Sequence, residues 1–324
     1  MLKVFEAFAG YGSQSLALER LGIPHKVVAI SEIDKYAIQA YYSLHDPSIP
    51  NLGDISKIKV EDIPDHDLFT YSFPCQDISV AGRTRGIVAG ETRSGLLYEC
   101  QKIIEGKKPK YLLMENVKNL VGKKFKADFD KWLDYLENLG YTNYWKVLNA
   151  KHYGVPQNRE RVFVVSILGE HEPYEFPNPI PLETRVKDLL EDKVADKYYL
   201  SEKVQERFRQ QYDDDGTRNV IGTTAPDYGT MRHKDLVYGQ NAEAIGALLA
   251  TDYKQPKQIV CEQRIECLFK IRKLTPRECF RLMGLNDTDI DKIQATGVSD
   301  TQQYKMAGNS IVVDVLMAIL KNLF

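Results

Sequence analysis

The sequence predicts an α/β protein built on a mostly parallel sheet, and three observations support that class. In the first half of the 324-residue chain, short apolar runs alternate with stretches of helical periodicity. This alternation is typical of strand–helix–strand crossover units. The last two apolar runs, residues 144–148 and 162–167, have no helix between them, which predicts an antiparallel pair. The 43% hydrophobic and 27% charged residues are those of an ordinary globular protein.

The apolar runs and the helical periodicity predict the following strands and helices along the chain. The predicted strands are residues 4–8, 27–30, 68–73, 111–114, 144–148 and 162–167. The predicted helices of the first half are residues 15–21, 35–42, 96–104 and 129–139. Four prolines between residues 172 and 181 indicate an extended linker, and the periods are poorly resolved from about residue 188 to 263. Helical patterning returns at residues 275–283, where Thr275, Pro276 and Glu278 form a capping box, and again at residues 310–323.

Composition and charge exclude several classes of function. We find no run of 18 apolar residues, which argues against a transmembrane helix, and Glu6 interrupts the only apolar stretch at the N-terminus that could resemble a signal peptide. Five cysteines without a Cys-x-x-Cys pair favour a reducing cytoplasm and indicate no metal site. A net charge of −2 exerts no global attraction on polyanions, so a nucleic-acid site must be a local patch.

A short glycine-containing turn follows the first predicted strand. Gly10 and Gly12 allow a backbone to approach a ligand at the start of a helix, although the third glycine of the dinucleotide fingerprint is replaced by Ser15. The same residues also suit a tight turn without a ligand. Glu32 comes 20 residues after Gly12 and could bind ribose hydroxyls, and Asp54, expected after a further strand, could accept from an adenine amino group. Together these features favour a nucleoside cofactor.

Reactive side chains follow other predicted strands. Cys75 comes after the strand run and a proline, as a reactive thiol at the carboxyl edge of a sheet would, although a lone cysteine is more often a buried hydrophobe. Glu115 follows the next strand and is a candidate general acid or a helix cap. Arg159 and Arg161 precede the last strand and could bring positive charge to the same edge or form a structural ion-pair cluster.

Eight short motifs occur in an order that resembles the DNA (cytosine-5) methyltransferases of bacteria and phages, and the resemblance covers nearly the whole chain. The motifs are Phe8-Ala-Gly-Tyr-Gly, Glu32-Ile-Asp, Gly53-Asp-Ile, Ser72-Phe-Pro-Cys-Gln, Met114-Glu-Asn-Val, Gln157-Asn-Arg-Glu-Arg, Arg272-Lys-Leu-Thr-Pro-Arg-Glu-Cys-Phe-Arg-Leu-Met-Gly and Ala307-Gly-Asn-Ser-Ile. The chain departs from the family pattern at Ser13, where a second glycine is common, and at Ala247-Leu248, where a Thr-Leu dipeptide is usual.

The resemblance implies a role for each matching position. Cys75 is the expected nucleophile and Glu115 the carboxyl group at cytosine N3, while Arg159 and Arg161 are expected to hold the flipped base. The residues expected to line an S-adenosylmethionine pocket are Phe8, Gly10, Tyr11, Gly12, Ser13, Glu32, Ile33, Asp54, Ile55, Phe73, Pro74, Leu96, Asn309 and Ser310. The residues expected to contact DNA are Gln76, Ser79, Arg83, Arg85, Arg93 and Asn116.

The resemblance also implies the architecture and the reaction. We expect a Rossmann-like S-adenosylmethionine-dependent methyltransferase sheet with an antiparallel last strand, formed by residues 1–187 and 299–324. Residues 188–298 would form a smaller, mostly irregular or β target-recognition domain with a hinge. The enzyme would transfer a methyl group to C5 of a flipped-out cytosine in a specific duplex sequence, through a covalent adduct between Cys75 and C6. We expect a cytoplasmic monomer without a membrane partner, acting beside a cognate restriction endonuclease.

Three other functions fit part of the sequence. A nicotinamide-dependent oxidoreductase would explain the glycine turn and Glu32, but not Glu115 together with the arginines and Gly308-Asn309-Ser310. A DNA-binding scaffold without catalysis would have no use for a nucleophile paired with an acid. A relative that methylates tRNA is compatible with the catalytic residues, although the separate recognition region favours duplex DNA.

Overall fold

The structure is a computed structural model that describes residues 1–74, 93–209, 220–223, 236–239, 241–262 and 269–324. Its strands are β1 (Leu2–Ala7), β2 (His25–Ser31), β3 (Leu68–Tyr71), β4 (Tyr111–Val117), β5 (Tyr141–Asn149), β6 (Gln157–Asn158), β7 (Glu160–Leu168), β8 (Val220–Thr223), β9 (Leu236–Tyr238), β10 (Ile245–Gly246), β11 (Gln258–Glu262) and β12 (Phe269–Lys273). Its helices are α1 (Ser13–Arg20), α2 (Lys35–Leu44), α3 (Leu97–Lys107), α4 (Lys126–Asn138), α5 (Glu202–Arg209), α6 (Pro276–Arg281), α7 (Asp287–Ala295), α8 (Asp300–Asn309) and α9 (Val313–Leu323).

The described residues form two compact units. The first unit contains residues Met1–Asn149, Glu160–Asn178 and Val315–Phe324, and the second contains Ala150–Arg159 and Pro179–Asp314. The predicted functional domains have different bounds, because they were drawn from expected roles and the units reflect packing. The division into a catalytic and a target-recognition domain therefore stays a prediction.

The first unit is built on a six-stranded sheet with the order β2-β1-β3-β4-β7-β5. Strand β1 is parallel to β2 and β3, and β3 is parallel to β4. Strand β7 is antiparallel to both of its neighbours, β4 and β5. The predicted α/β class and its antiparallel last strand are therefore confirmed. The carboxyl ends of β1, β2, β3 and β4 meet at one edge of this sheet, where open α/β sheets bind ligands.

Helices cover both faces of this sheet. Because successive side chains of a strand point to opposite faces, Phe5, Phe69 and Tyr71 share one face, and their rings stack at centroid distances of 5.4 and 5.0 Å. This aromatic row belongs to a core cluster with buried residues of α3 and α4, such as Ile104 and Leu136. Helices α1 and α2 lie on the other face, where they contact the side chain of Glu6, which is fully buried.

The second unit is mainly irregular and β structure with short helices. Its strands form a four-stranded sheet, β12-β11-β9-β8, and a two-residue parallel pair, β10-β6. A buried ion pair links β12 to α6: Arg272 donates to both carboxylate oxygens of Glu278 at 2.6 and 2.7 Å. The predicted capping box is confirmed, since Thr275 and Glu278 exchange side-chain and backbone hydrogen bonds. The antiparallel pairing of β11 with β12 was not apparent in the sequence.

One detail of the sequence-based interpretation differs from the structure. The strand expected before Asp54 is reduced to a single parallel bridge between Ile30 and Asn51, because Pro50 removes the amide hydrogen that a ladder would need next. Among the described residues, the stretch Asp300–Leu323 is long and apolar enough to resemble a membrane span, with 56% of its window buried. It consists of α8 and α9 with a break between them, and buried apolar helices of this kind are typical of a protein core.

Candidate active site

The loop between β1 and α1 has an unusual backbone. Phe8, Gly10 and Gly12 have φ angles of 56°, 58° and 83°, in the left-handed region that most side chains disfavour. The backbone N–H groups of Phe8 and Ala9 donate to the carbonyl oxygen of Ser31, at 2.8 and 3.3 Å. The loop, which we call the cofactor turn (residues 8–12), is therefore held against the end of β2 at the carboxyl edge of the sheet.

The two glycines of the cofactor turn serve different purposes. A Cβ atom at Gly10 would meet no atom within 4 Å, so open space lies beside this backbone. A Cβ atom at Gly12 would overlap the rings of His45 and Tyr41. Gly10 thus leaves room for a ligand, whereas Gly12 allows α2 to pack closely under the turn.

Glu32 connects the cofactor turn to the loop after β2. Its Oε2 accepts a hydrogen bond from the backbone N–H of Gly10 at 2.9 Å. Its Oε1 accepts from the backbone N–H groups of Ile33 and Asp34, at 2.7 and 2.8 Å. Oε1 already accepts two hydrogen bonds, whereas Oε2 accepts one and can accept another. Glu32 is therefore oriented by its own loop and still able to bind a hydroxyl group through Oε2.

A third loop completes this region, and its key residue, Asn51, was not singled out in the sequence. The Asn51 side chain donates to the carbonyl oxygen of Glu32 at 3.0 Å and accepts from its N–H at 3.1 Å. Ser31 donates its hydroxyl hydrogen to the carbonyl oxygen of Gly53 at 2.7 Å. The loops that follow β1, β2 and the Ile30–Asn51 bridge are therefore joined by hydrogen bonds.

Asp54 ends the third loop as the N-cap of a short 3₁₀ turn. Its Oδ1 accepts from the hydroxyl and the backbone N–H of Ser56, at 2.8 and 3.1 Å. These two hydrogen bonds lower the pKa of the Asp54 carboxyl below its ordinary value. An ionised, partly exposed carboxylate at this position is a suitable acceptor for an amino group.

The apolar residues predicted for the cofactor pocket differ in exposure. Ile33 is 73% exposed, which is unusual for a large apolar side chain and leaves its surface available. Phe8 and Leu96 are partly buried and pack against the core of the first unit. The remaining predicted residues of this unit are buried, namely Tyr11, Ser13, Ile55 and Phe73, and Pro74 is half-buried.

Strand β4 brings Glu115 to the same edge of the sheet. The antiparallel register of β4 and β7 pairs Val117 with Arg161 and Glu115 with Phe163. Arg161 therefore lies diagonally opposite Glu115, and its Nε is 3.1 Å from the Glu115 carboxylate. The side chains are 16% and 11% exposed, so the pair is largely shielded from water.

Asn116 is buried rather than directed to solvent. It is 2% exposed, and its amide nitrogen donates to the carbonyl oxygen of Phe73 at 3.0 Å. Its amide oxygen accepts from the backbone N–H of Val117 at 2.9 Å. Asn116 thus ties the end of β4 to the chain segment that leads into Pro74. Its predicted contact with DNA stays a prediction.

Arg159 and Arg161, although two residues apart, lie in different environments. Arg159 belongs to the second unit, and its guanidinium donates to the carbonyl oxygens of Leu248, Gly308 and Ser310 at 2.7, 3.0 and 2.7 Å. The residue is 3% exposed. Within the second unit, Arg159 therefore joins three backbone positions that are distant in sequence, and its expected contact with a flipped base stays a prediction.

Gln157, like Arg159, joins distant backbone positions within the second unit. No role was assigned to its side chain from the sequence. It is fully buried, donates to the carbonyl oxygen of Leu282 at 2.7 Å and accepts from the N–H of Leu248 at 2.9 Å. Its position in the Gln-Asn-Arg-Glu-Arg motif was the available signal. Asn309 is exposed at the end of α8, and Ser310 donates its hydroxyl hydrogen to the carbonyl oxygen of Met306 at 2.7 Å.

Several predicted site residues lie outside the described residues. These are Cys75, Gln76, Ser79, Arg83 and Arg85. Arg93 begins the short 3₁₀ turn before α3.

The described cysteines are poor candidates for a nucleophile. Burial raises the pKa of the thiol groups of Cys100, Cys261 and Cys279 above the ordinary value. Because the thiolate is the reactive form, burial disfavours the reactive form of all three residues. The chemistry of a nucleophilic cysteine is therefore left to Cys75 or Cys267, neither of which belongs to the described residues.

Among the residues that the structure describes, no group of three or more His, Cys, Asp or Glu side chains could hold a metal ion. The features that are brought together at the carboxyl edge of the first unit are the cofactor turn, Glu32, Asp54 and the Glu115–Arg161 pair. They define an α/β enzyme of the type that binds a nucleoside cofactor.

Comparisons with known proteins specify the family. The chain matches the family model described as C-5 cytosine-specific DNA methylase over residues 2–324. It is 42% identical to the type II methyltransferase M2.ScrFI of Lactococcus lactis subsp. cremoris, covering 100% of this chain and 99% of that protein. It is 35% identical to the type II methyltransferase M.NlaX of Neisseria lactamica, covering 100% and 96%. The crystal structure of the S. pombe Dnmt2 methyltransferase has the same fold, with a TM-score of 0.75, 21% identity and coverage of 100% and 98%.

The chain belongs to the C-5 cytosine-specific DNA methylases. The family inferred from the eight motifs is thereby confirmed, as is the prediction that the protein is a DNA (cytosine-5) methyltransferase. Methyltransferases of this kind use S-adenosylmethionine as the methyl donor.

Replacing Asn116 with aspartate tests its link to Phe73. The variant has the same shape but presents a carboxylate oxygen where the amide donates, so we expect a loss of about 1–3 kcal/mol in the free energy of unfolding. We also expect methyl transfer to fall at least about tenfold, because a misplacement near the reacting groups is costly. Urea denaturation and a tritiated-methyl assay measure these effects.

Asn138→Asp is the matched control for this prediction, since Asn138 is exposed at the end of α4. It should behave like the parent protein. Full activity of Asn116→Asp would show that the Phe73 contact does not support the site.

Proposed function

We propose that this enzyme transfers a methyl group from S-adenosylmethionine to C5 of a flipped-out cytosine in a specific double-stranded DNA sequence, through a covalent Cys75–C6 adduct with Glu115 at N3. The observation that carries the proposal is the Glu115–Arg161 pair at the carboxyl edge, joined through Asn116 to the segment that precedes Cys75. Family membership supports methyl transfer to cytosine in DNA.

The residues of the first unit fit S-adenosylmethionine as the cofactor. The open space beside Gly10 accommodates a ligand next to the backbone. Glu32 has remaining acceptor capacity for ribose hydroxyls, the exposed face of Ile33 suits an adenine ring, and Asp54 can accept from the adenine amino group. The predicted roles of Asn309 and Ser310 in cofactor binding stay predictions. When bound, the cofactor supplies a methyl group on a positively charged sulfur.

The proposed role of Cys75 follows from the chemistry of the pyrimidine ring. Cytosine C5 is a weak nucleophile, and addition of the Cys75 thiolate to C6 moves electron density to C5, where the methyl group is accepted. Loss of the C5 proton then expels the thiolate and restores the ring. The raised thiol pKa values of Cys100, Cys261 and Cys279 argue against those cysteines as the nucleophile.

Glu115 would stabilise the charge that develops on the ring during this addition. In its protonated form, a carboxyl group held at N3 donates a hydrogen bond to that nitrogen and stabilises the negative charge that accumulates there. The Arg161 guanidinium, 3.1 Å away, restricts the orientation of the Glu115 carboxyl. Because both side chains are mostly buried, the interaction takes place away from bulk water, where it is stronger.

Access to C6 requires that the cytosine leaves the duplex stack, at a cost of a few kcal/mol. We propose that Arg83, Arg85 and Arg93 meet phosphates near the flipped base, and that Gln76 and Ser79 contribute to the DNA contacts. A polypeptide with a net charge of −2 needs such local cations to bind DNA.

A second basic segment follows Glu115 directly. We call residues 117–126 the lysine turn. Leu120 and Phe125 anchor it in the core, being 1% and 2% exposed. Lys123 and Lys124 are exposed at its surface, and the Lys124 ammonium lies over the Phe125 ring, 5.3 Å from its centroid. Lys118 and Lys126 form ion pairs with Glu160 and Asp130. We propose that Lys123 and Lys124 bind phosphates of the DNA that flanks the target cytosine.

The proposed biological role of this enzyme is based on the names of its relatives. M2.ScrFI and M.NlaX are named type II methyltransferases. We propose that the present enzyme protects DNA beside a cognate restriction endonuclease. We further propose that it acts in the bacterial cytoplasm as a monomer. Bisulfite sequencing of DNA from cells that express the protein would identify the modified cytosine and its sequence context.

The Cys75→Ala variant tests the nucleophile. We expect tritiated-methyl transfer to duplex DNA to fall by at least about 10³-fold, because the covalent route is lost, while calorimetric binding of S-adenosylmethionine changes by less than about twofold. Cys261→Ala serves as the control and should keep full activity. Undiminished turnover by Cys75→Ala would refute the assigned role, and a tRNA substrate in the same assay tests the RNA alternative.

The Lys123→Gln/Lys124→Gln variant tests the lysine turn. Each lost phosphate contact should reduce the slope of log K against log salt by about 0.9, so the double variant should lose about 2 from the slope. The matched control is Lys108→Gln/Lys110→Gln, which removes two exposed lysines at the amino end of β4. Fluorescence anisotropy of a labelled duplex at several salt concentrations measures both slopes, and equal slopes for the two variants would contradict the proposal.

A further inference from the structure

A carboxyl group lies buried beneath the cofactor turn. Glu6, near the end of β1, is 0% exposed. Its Oε1 accepts from the hydroxyl of Ser15 at 2.9 Å, and its Oε2 accepts from the hydroxyl of Tyr41 at 3.0 Å. The two donors come from α1 and α2, so one side chain of the sheet holds both helices.

A third hydroxyl lies beside Glu6. Thr70 is its partner in the parallel register of β1 and β3, and the buried Thr70 hydroxyl has no hydrogen-bond partner among the described residues. Adjacent positions of paired strands share a face. An ionised Glu6 therefore lies where hydroxyl groups can donate to it, whereas a protonated carboxyl would have to donate to one of these hydroxyl oxygens and would reverse that hydrogen bond.

Contacts continue from Glu6 to the backbone of the turn. The Tyr41 ring packs against the His45 ring at a centroid distance of 4.5 Å. His45 Nε2 lies 3.1 Å from the carbonyl oxygen of Tyr11, and Gly12 has no room for a Cβ atom over these two rings. Ser15 lies in the first turn of α1, directly after the cofactor turn. Glu6 is thus coupled to both ends of the segment 11–15.

We propose that Glu6 is a positioning residue that, in its ionised form, holds α1, Tyr41 and His45 so that the cofactor turn keeps the conformation required for binding S-adenosylmethionine. The inference rests on the proposed cofactor role of this turn. Glu6 itself touches only protein groups.

The charge state of Glu6 changes in the physiological range. Burial raises its pKa from 4.5 to about 7, with the hydrogen bonds from Ser15 and Tyr41 opposing the rise. Burial raises the pKa of Tyr41 far above neutrality and lowers that of His45 below its ordinary value. Tyr42 is the further titratable group coupled to Tyr41, and Glu19 and His25 are those coupled to His45. Glu6 is therefore the carboxyl group of this network whose pKa lies near 7.

The affinity for S-adenosylmethionine should rise with pH. Because the folded-state pKa of Glu6 is raised, the protonated form predominates below pH 7 and the ionised form above it. If only protein with ionised Glu6 binds S-adenosylmethionine, the apparent affinity for this ligand is lower than that of the fully ionised protein by a factor of 1 + 10^(pKa − pH), where the pKa is that of Glu6. That factor is about 11 at pH 6 and about 1.1 at pH 8, so affinity should rise about tenfold between these values.

Calorimetric titration of the full-length protein with S-adenosylmethionine, without DNA, tests this inference. We expect the Kd of the parent protein to decrease about tenfold from pH 6 to pH 8 relative to Glu6→Gln, in which position 6 cannot titrate. The titration of the ligand's own amino group is the same for both proteins and cancels in the comparison. Identical pH profiles for the two proteins would overturn the inference.

Tyr41→Phe provides a second variant if Glu6→Gln does not fold. Removing one donor disfavours the ionised carboxyl, so the midpoint of the pH profile should move upward. Tyr42→Phe is the matched control, because the Tyr42 hydroxyl donates to the Ile49 carbonyl oxygen instead, and its profile should be unchanged. An unshifted midpoint for Tyr41→Phe would also overturn the inference. If the parent protein binds no S-adenosylmethionine at any pH, the proposed function fails and this inference fails with it.

Discussion

The proposed chemistry of this enzyme depends on the ion pair between Glu115 and Arg161. The pair exists because β7 runs antiparallel to β4, so the start of one strand meets the end of the other. A parallel last strand would carry its first residues to the opposite edge of the sheet. One reversal of chain direction thus supplies the arginine that orients the proposed acid. A mostly buried carboxylate without that partner would pay a large desolvation cost.

The remaining parts of the site are joined by hydrogen bonds rather than by regular structure. Glu32, Asn51 and Ser31 connect three loops at the carboxyl edge, and Asn116 connects the end of β4 to Phe73. Glu6 of β1 likewise joins the sheet to α1 and α2, through hydrogen bonds from Ser15 and Tyr41. The sheet supplies the positions, and polar side chains at strand ends determine the loop conformations.

Much of the fold and part of the site were predictable because they depend on local pattern. Apolar runs predict buried strands, and a residue that follows such a run, such as Glu115, lies at the carboxyl edge. The contacts of Arg159 were not predictable, because its carbonyl partners lie 89 to 151 positions away in sequence. The same holds for Gln157 and Glu6, whose partners are set by packing. The strand expected before Asp54 was wrong because Pro50 limits the pairing to one bridge.

The most direct test of the central claim is the covalent adduct itself. A duplex that carries 5-fluorocytosine at the target position has no C5 proton to lose, so the enzyme cannot complete the elimination. In the presence of S-adenosylmethionine, the account predicts a protein–DNA complex that survives denaturation, with peptide mapping that assigns the linkage to Cys75. Full activity on ordinary DNA without such a complex, or a linkage to another residue, would contradict it.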